Sequence, residues 1–468
     1  MSIAADSTEQ LGLMAPAQRR RASWLIEPPA KGMSAAMTAA GGTGRFLAPV
    51  AVWALTRAVL LLCVLKVITV PGPDVTSDVS MIYHGWSEVL KSGTYPQSDV
   101  TWQYPPVAAL AILSPALLPF LDYTSAFFVL VCLCDALVLG LLLYAGRQAG
   151  RRTAGGWVWV AGVPLLGTTA YARYDVMVTA VAVAALLAGA RHPRVLGALA
   201  AFGALLKVWP VLLLVGTARG EHTRRSWTAA AVTAAGLLVA SAAAMPGALA
   251  FLGFQRDRGT EVESLGALVF HVARQFGWQG RVELNYGSLE FLGPHVPLVS
   301  TLALGLSLIA CGWLVVWRLR ARTSGASTTA DAAFTAVLLF TTTSRVISPQ
   351  YMLWLVGLAA VCLVFRSGRM GLPAGLVLAA TGVTQLEFPL GFIHVVTSDA
   401  TGVTLMFVRN GLLVAATLVA ARRLWRRTVT EPGRPEQPVP VRPVPRRGSA
   451  PADDVSRDGT ADTPASAP

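Results

Sequence analysis

The sequence predicts an all-α integral membrane protein that crosses the bilayer many times. Of its 468 residues, 54% are hydrophobic and only 13% are charged, and its mean hydropathy is +0.55. A soluble protein of this length needs more charge than this to solvate its surface. In addition, twelve apolar runs follow one another along the chain, as expected for a single membrane domain built of many helices.

The apolar runs define a membrane domain of residues 46–427 between two polar tails. Residues 1–45 are polar or mixed, and residues 428–468 are rich in Pro, Ala, Asp and Arg without apolar periodicity. Both segments are therefore expected to be disordered cytoplasmic tails. The runs between them lie at residues 46–70, 104–120, 125–146, 155–172, 176–190, 195–218, 227–245, 298–317, 331–347, 351–365, 371–390 and 400–421.

Short basic clusters between the runs predict the orientation, because such clusters tend to lie on the cytoplasmic side. Twelve simple spans would place the clusters at residues 147–152 and 191–194 outside the cell. Two runs, however, contain Pro where it interrupts a helix, at residues 104–106 and 206–210. If both are broken or re-entrant segments, about ten spanning helices remain, all basic clusters lie inside, and both termini are cytoplasmic. Irregular backbone at membrane depth is tolerated only beside protein or a water-filled cavity, so a cavity is expected near these segments.

The same composition excludes several other classes of protein. The net charge of +13 does not indicate nucleic-acid binding, because the positive charge is divided among short clusters and tails instead of forming one surface. The five cysteines all lie in apolar runs and are interpreted as packing residues. The sequence contains no Gly-rich phosphate loop, HExxH motif or CxxC pair. Neither a cofactor nor a metal site is expected, and a metal requirement stays open.

The predicted outer loop of residues 71–103 contains the first candidate site residue. After Asp78, apolar residues recur at the spacing of one helix face up to Leu90. The stretch is too short to span, so it predicts an amphipathic helix in the outer membrane interface. Asp78 could cap this helix or serve as a general base beside a cavity, and the two roles are compatible. Asp74 is the alternative base.

Charges close to the second Pro-containing run supply further candidates. Lys207 lies in the middle of that run, where a charged side chain usually faces a cavity or a partner. Such a cation would suit a phosphate, and the alternative is that it extends to the membrane interface. Arg173 and Asp175 lie in a very short outer loop and would point into whatever the outer face encloses. Asp175 could also simply mark the interface.

The long outer loop of residues 246–297 contains a dense alternation of charges, which includes Arg256, Arg258 and Glu263. A run of this kind is usually a solvated surface, but here it lies on the side of Asp78 and is a candidate substrate cleft. An amphipathic stretch follows as far as Phe276.

Two other pairs of polar residues lie in or next to apolar runs. Arg345 and Gln350 flank a turn at another outer end, where Arg345 could equally be an anchor at the headgroup level. Arg57 and Asp135 are charges within the membrane that could pair inside the helix bundle. We assign no functional role to this second pair.

An ordered set of motifs across residues 74–351 is similar to a known group of enzymes. The motifs are Asp78 followed by Gly93-Thr94-Tyr95-Pro96, Tyr104-Pro105-Pro106, Arg173-Tyr174-Asp175, Leu206-Lys207-Val208-Trp209-Pro210, Arg258-Gly259 with Glu263-Ser264, and Ser348-Pro349-Gln350-Tyr351. The set resembles the multi-spanning glycosyltransferases of the C superfamily that use lipid-linked sugars, and within it the family-87 mannosyltransferases.

The resemblance implies a donor, an acceptor and a mechanism. The donor would be a polyprenyl-phosphate hexose, with mannose expected, and the acceptor a glycolipid or glycan outside the cytoplasmic membrane. Asp78 would deprotonate the acceptor hydroxyl, which would attack the anomeric carbon with inversion. Cations would stabilise the departing polyprenyl phosphate. The implied substrate-binding residues are Asp74, Tyr104, Arg173, Asp175, Lys207, Arg256, Arg258, Glu263, Arg345 and Gln350.

Three other functions are compatible with parts of this pattern. A transporter or flippase for a lipid-linked or anionic substrate also uses broken helices and cations within the membrane. The sequence lacks symmetric interruptions in two halves, however, and its outer loops are large and charged. A membrane polymerase or ligase of surface glycans, and a structural membrane protein, are the remaining alternatives.

Overall fold

The computed structural model of the protein describes residues 31–254 and 259–431. The chain divides into two compact units, Met1–Val52 and Trp53–Pro468. In the first unit, the described residues form the N-terminal part of one long helix. The second unit contains all the other helices and strands and the candidate site.

Sixteen α-helices are formed by the described residues. The first eight are α1 (Lys31–Val64), α2 (His84–Lys91), α3 (Ala108–Leu113), α4 (Tyr123–Gly146), α5 (Ala154–Leu165), α6 (Asp175–Gly189), α7 (Pro193–Leu206) and α8 (Glu221–Ala244). The other eight are α9 (Phe251–Phe254), α10 (Ala267–Gln275), α11 (Val296–Arg320), α12 (Ala326–Thr343), α13 (Tyr351–Val364), α14 (Gly371–Gln385), α15 (Phe392–Thr397) and α16 (Ala400–Trp425). Short 3₁₀ or π turns are Asp78–Tyr83, Ser114–Leu117, Gly167–Ala170, Trp209–Leu214, Leu386–Leu390 and Arg426–Thr430.

The helices confirm the predicted fold class of an all-α polytopic membrane protein. Each of the twelve apolar runs forms a helix or a pair of short helices at the predicted place. Five helical segments of the described chain are long and apolar enough to cross a membrane, namely Leu47–Val64, Tyr123–Gly146, Glu221–Ala244, Val296–Arg320 and Ala400–Thr430. The total of about ten spans stays a prediction. In the predicted tails, α1 already begins at Lys31 and the last turn ends at Thr430, and the disorder of both tails stays a prediction.

Both Pro-containing runs are interrupted, as expected. The first forms only the six residues of α3 before a 3₁₀ turn that has Pro115 in its first turn. In the second, α7 ends at Leu206 and Lys207 is extended, with φ −158° and ψ 130°. A 3₁₀ turn containing Pro210 follows. Pro cannot donate a backbone hydrogen bond and disfavours the helical conformation of the preceding residue, which explains why neither run forms a continuous helix.

The centre of the bundle consists of short helices that are enclosed by protein. Helices α12 and α13 are buried over nearly their whole length, and α5 packs on α13 through close approaches at Gly155 and Gly162. The long helices α8 and α11 are much more exposed, because only 6% and 17% of their most apolar stretches are buried. Helices α8 and α11 therefore expose most of their apolar surface, whereas α12 and α13 lie inside the bundle.

A small α/β lobe lies between α8 and α11 in sequence. Strands β1 (Thr260–Glu261), β2 (Arg281–Asn285) and β3 (Ser288–Leu292) form an antiparallel sheet in the order β1–β3–β2. The two-residue turn between β2 and β3 has positive φ at both positions, which matches the twist of a tight hairpin. Helix α10, the predicted amphipathic stretch, packs on the sheet through an apolar cluster that contains Phe270 and Phe291. The lobe fixes the backbone on both sides of Glu261 and Glu263.

Candidate active site

A cavity of about 620 Å³ gathers residues that are far apart in the sequence. Its wall is formed by the turn before α2, the two interrupted runs, the sheet of the small lobe and the start of α13. Six of the predicted site residues line it: Asp78, Tyr104, Arg173, Lys207, Glu263 and Gln350. A larger cavity of about 830 Å³ lies among arginines at the end of α11 and contains none of the predicted site residues, so the smaller cavity is the candidate site.

Asp78 forms an ion pair with Arg173 instead of capping a helix. It is the first residue of the π turn that leads into α2, and no side chain caps that turn. The carboxylate contacts the Arg173 guanidinium, and about a fifth of each side chain is exposed. Burial lowers the pKa of Arg173 to about 10, against the opposing effect of Asp175, so the guanidinium is still positive at neutral pH. A positive neighbour favours the ionised form of a carboxylate.

Asp74, the alternative base, lies outside the lining of the cavity. Its carboxylate accepts hydrogen bonds from the Thr76 amide (3.0 Å), the Thr76 hydroxyl (2.6 Å) and the Lys66 ammonium (2.8 Å). Burial raises the pKa of Asp74, but the hydrogen bonds from Lys66 and Thr76 outweigh this and hold it below its usual value. Asp74 therefore anchors the turn that precedes Asp78, and of the two carboxylates only that of Asp78 lines the cavity.

Lys207 faces the cavity and a buried partner. Its Nζ lies 2.8 and 3.0 Å from the two carboxylate oxygens of Asp175, and the Trp354 indole donates to the same carboxylate at 2.6 Å. Asp175 is fully buried and lies behind Lys207 instead of lining the cavity. Four rings lie 5.2–5.8 Å from the ammonium, those of Tyr104, Tyr174, Tyr351 and Trp354. The end of α7 at Leu206 thus directs the cation into an aromatic pocket.

Glu261 ties the small lobe to the turn before α13. Its carboxylate accepts hydrogen bonds from the Ile347 amide at 2.7 Å and from the Ser348 hydroxyl at 3.1 Å. Its own amide donates to the Arg345 carbonyl at 3.1 Å. These contacts fix the turn that presents Gln350 to the cavity.

A buried charge cluster behind Glu263 was missed by the sequence interpretation. The guanidinium of Arg409 on α16 lies 2.7 and 3.0 Å from the carboxylate of Glu387 and 3.5 Å from that of Glu263. Burial, with repulsion from Glu387 and Glu261, raises the pKa of Glu263 well above its usual value. The folded protein therefore favours the protonated form of Glu263 more strongly than water does. The sequence could have indicated this cluster, because Arg409 is a charged residue inside an apolar run, as Lys207 is.

The remaining predicted residues lie elsewhere. The side chain of Arg345 donates to the Ser300 hydroxyl at 3.3 Å and does not line the cavity. Arg256 and Arg258 fall outside the described residues. Arg57 and Asp135 pair with each other at 2.8 Å inside the bundle, as the sequence suggested, and neither lines the cavity.

The cavity combines a polar interior with an apolar rim. Several apolar side chains that line it are also well exposed, namely Ile82, Val208, Leu252, Leu284 and Phe340. Inside are the Asp78 carboxylate, which can accept a proton, the cations of Arg173 and Lys207, and the carboxyl groups of Glu261 and Glu263. Within residues 31–254 and 259–431, no three His, Cys, Asp or Glu side chains are grouped so as to hold a metal ion.

Comparison with known proteins identifies the family. The sequence model of glycosyltransferase family 87 matches residues 102–349, more than half of the chain. No curated protein and no solved structure matches it. The matched region contains Tyr104, Arg173, Lys207 and Glu263, whereas Asp78 precedes it. The match favours glycosyl transfer over the transporter and structural alternatives. The chain therefore belongs to glycosyltransferase family 87 and is a multi-pass membrane glycosyltransferase.

Proposed function

We propose that this glycosyltransferase moves a hexose, with mannose expected, from a polyprenyl-phosphate donor to a glycolipid or glycan acceptor outside the cytoplasmic membrane. The observation that carries the proposal is the cavity, which combines Asp78 with the cations of Arg173 and Lys207. A phosphate needs positive charge, and an acceptor hydroxyl needs a base within reach. The cavity provides both at one place.

The apolar rim supports a lipid-linked donor. Val208 and Leu252 are 53% and 60% exposed, although both line the cavity that contains Lys207. A ligand with a phosphate head and a hydrocarbon chain can place its head beside Lys207 while its chain covers these apolar side chains. A water-soluble nucleotide sugar would leave them exposed.

The proposed chemistry is a single displacement at the anomeric carbon. Asp78 accepts the proton of the acceptor hydroxyl, whose oxygen forms a bond to the anomeric carbon. The bond from that carbon to the phosphate oxygen breaks, and its electron pair leaves with polyprenyl phosphate. One displacement inverts the anomeric configuration. Lys207 stabilises the developing negative charge, and because Asp175 and the surrounding rings already hold its ammonium in place, little reorganisation is needed.

The contacts at the opposite helix ends support an outward-facing site. Basic clusters predicted to be cytoplasmic meet there: the Arg366 side chain donates to the Arg151 carbonyl, and the Arg423 side chain donates to the Arg369 carbonyl. The cavity lies at the other helix ends, where Arg173 precedes α6 and Tyr351 begins α13. With the basic ends cytoplasmic, the cavity faces outward.

Transfer of radiolabelled mannose from polyprenyl-phosphate mannose, measured in membranes, tests the proposal. Asp78→Asn is expected to lower the rate by roughly 10²–10⁴-fold, the usual effect of losing a general base. Asp74→Asn is the matched control, because the carboxylate of Asp74 is half exposed and pairs with an exposed Lys66. The control should stay within about tenfold of wild type, because an exposed ion pair contributes little to stability.

Two results would contradict different parts of the proposal. An unchanged rate in the Asp78→Asn protein, at equal amounts in the membrane, rejects Asp78 as the base. A wild-type protein that transfers no sugar from several polyprenyl-phosphate hexoses rejects the donor class.

A further inference from the structure

A second groove lies along the helix that follows Asp78. It has a volume of about 780 Å³ and is lined on one side by Met81, Gly85 and Val89 and on the other by residues 94–99. Three side chains, those of Ile82, Trp86 and Thr101, line both this groove and the candidate active-site cavity. The groove and the cavity therefore lie next to each other across these three side chains.

The groove differs from the cavity in that no cation of the described chain lines it. Among the described residues that line the groove, Asp99 is charged and no Lys, Arg or His is present. Burial raises the pKa of Asp99, but hydrogen bonds from Thr101 and Trp86 outweigh this and hold it below its usual value, so Asp99 is negative at neutral pH. Asp99 would repel a phosphate from the groove, where the described residues offer no cation, whereas Arg173 and Lys207 in the cavity could pair with one.

The surface of the groove is polar on one side and apolar on the other. Gln97 and Ser98 are exposed on the polar side, and Met81 is 72% and Val89 38% exposed on the apolar side. Sugar rings combine hydroxyl edges with C–H faces, and binding sites for neutral ligands of this kind mix apolar surface with a few placed polar groups. The lining fits an uncharged carbohydrate.

We propose that this groove binds the uncharged sugar residues of the acceptor glycan and guides the acceptor hydroxyl towards Asp78. The inference rests on the proposed function, because it assigns the second substrate of the same transfer. Ile82 lies about one helical turn after Asp78 and lines both spaces. An acceptor in the groove would therefore pass Ile82 to reach the base, while the donor phosphate lies beside Lys207.

Gly85 provides a way to fill the groove without disturbing the fold. It lies in α2, and a Cβ added there meets no atom within 4 Å. Replacing a helical glycine also favours the helix, so a loss of binding would not reflect unfolding. The size series Gly85→Ala, Gly85→Leu and Gly85→Trp should block the groove progressively. The matched control is Gly140→Leu in α4, another exposed helical glycine with no atom near an added Cβ.

The experiment measures binding of two separate probes to the full-length protein in lipid nanodiscs. The probes are soluble mannotriose, which is uncharged, and polyprenyl phosphate, which is anionic. Gly85→Leu and Gly85→Trp are expected to weaken mannotriose binding by about tenfold or more, since a few misplaced carbon atoms in a fitted pocket have effects of this size. Polyprenyl phosphate binding should change less than about twofold, and Gly140→Leu should affect neither probe.

Three results would overturn the inference. These are the absence of mannotriose binding by the wild type, mannotriose binding unchanged in the Gly85 series, and an equal loss of both probes. The second result would mean that the apolar side contacts membrane lipid only.

The transfer assay separates this inference from the proposed function. Binding of mannotriose that depends on Gly85, in a protein that transfers no hexose, rejects the proposed function and retains the groove. Normal transfer with an unchanged acceptor KM in Gly85→Trp rejects the groove and retains the proposed function.

Discussion

The buried pair of Arg57 and Asp135 allows a sharp test of how the bundle is held together. Both side chains are essentially inaccessible to solvent. Besides two contacts from Arg57, the Asp135 carboxylate accepts hydrogen bonds from Trp53 (2.9 Å), Trp159 (2.7 Å) and Tyr171 (2.8 Å). The substitution Arg57→Met removes the cation and leaves a carboxylate that is held only by neutral donors.

The expected cost follows from the burial of the remaining charge. Removing one partner of a buried ion pair usually destabilises a protein by about 3–5 kcal/mol, because the other charge stays uncompensated. The double variant Arg57→Met/Asp135→Asn removes that charge, keeps a side-chain oxygen for the Trp53 and Trp159 indoles, and places its amide NH2 against the Tyr171 hydroxyl, which can accept a hydrogen bond. It should therefore be more stable than Arg57→Met alone by about 1–3 kcal/mol, the size of coupling seen between contacting residues.

The assay is thermal unfolding of the detergent-solubilised protein, followed by size-exclusion chromatography of the material that stays monodisperse. Since 1 kcal/mol shifts Tm by roughly 2–4 °C in domains of moderate size, a loss of about 3–5 kcal/mol in Arg57→Met should lower Tm by roughly 6–20 °C. The double variant should recover part of this loss. If the double variant is less stable than Arg57→Met, the reasoning from an uncompensated charge is refuted.

Two further predictions concern residues of the cavity. The pKa of Glu263 is raised above its usual value of 4.5 on folding, so its contribution to stability is complete below pH 4.5 and is lost as the pH rises through the folded value. In Glu263→Gln the side chain does not titrate. The Tm of this variant should therefore rise relative to that of wild type as the pH increases above 4.5. If the two proteins show parallel profiles of Tm against pH, the pKa of Glu263 is not raised by folding. Lys207→Gln should raise the KM for the polyprenyl-phosphate donor by about 10–100-fold, because a hydrogen bond to a charged group contributes about 1.5–3 kcal/mol, while the acceptor KM stays within about twofold. A donor KM equal to that of wild type, with normal amounts of protein in the membrane, would exclude Lys207 from the phosphate site.

Much of the fold could be predicted because lipid imposes simple rules on sequence. A membrane helix must satisfy its backbone polar groups by internal hydrogen bonds and expose apolar side chains to lipid. The twelve apolar runs are therefore visible in the sequence, and all of them form helices. The interruption at Lys207 was also predictable, because Pro210 has no backbone N–H to donate to the preceding helical turn. The sheet of the small lobe was not predicted, because β1 has only two residues and its pairing with Phe291 and Glu290 is not local.

The candidate site was predictable in its residue types but not in their partners. Asp78, Lys207 and Asp175 were identified because charges beside apolar runs are costly and therefore informative. Asp78 pairs with Arg173, a residue about 95 positions later in the chain. This pair forms through tertiary packing and cannot be predicted from local residue spacing. Arg409 lies in an apolar run in the same way as Lys207, but its role appears only when Glu387 and Glu263 are brought beside it.

The shortness of the central helices has a consequence for how the enzyme meets its substrates. Helices α6, α7 and α13 contain 15, 14 and 14 residues, which corresponds to about 20–23 Å at 1.5 Å per residue. A hydrocarbon layer is about 30 Å thick, so a helix of this length that starts at one surface ends within the layer, short of the other surface. Asp175, Lys207 and Tyr351 lie at those ends. The proposed polyprenyl-phosphate donor would reach them through the lipid, so its relevant concentration is its mole fraction among the lipids and not its amount per volume of buffer. Apparent donor affinities for this enzyme should accordingly change when lipid is added, even though the protein and the total donor are held constant.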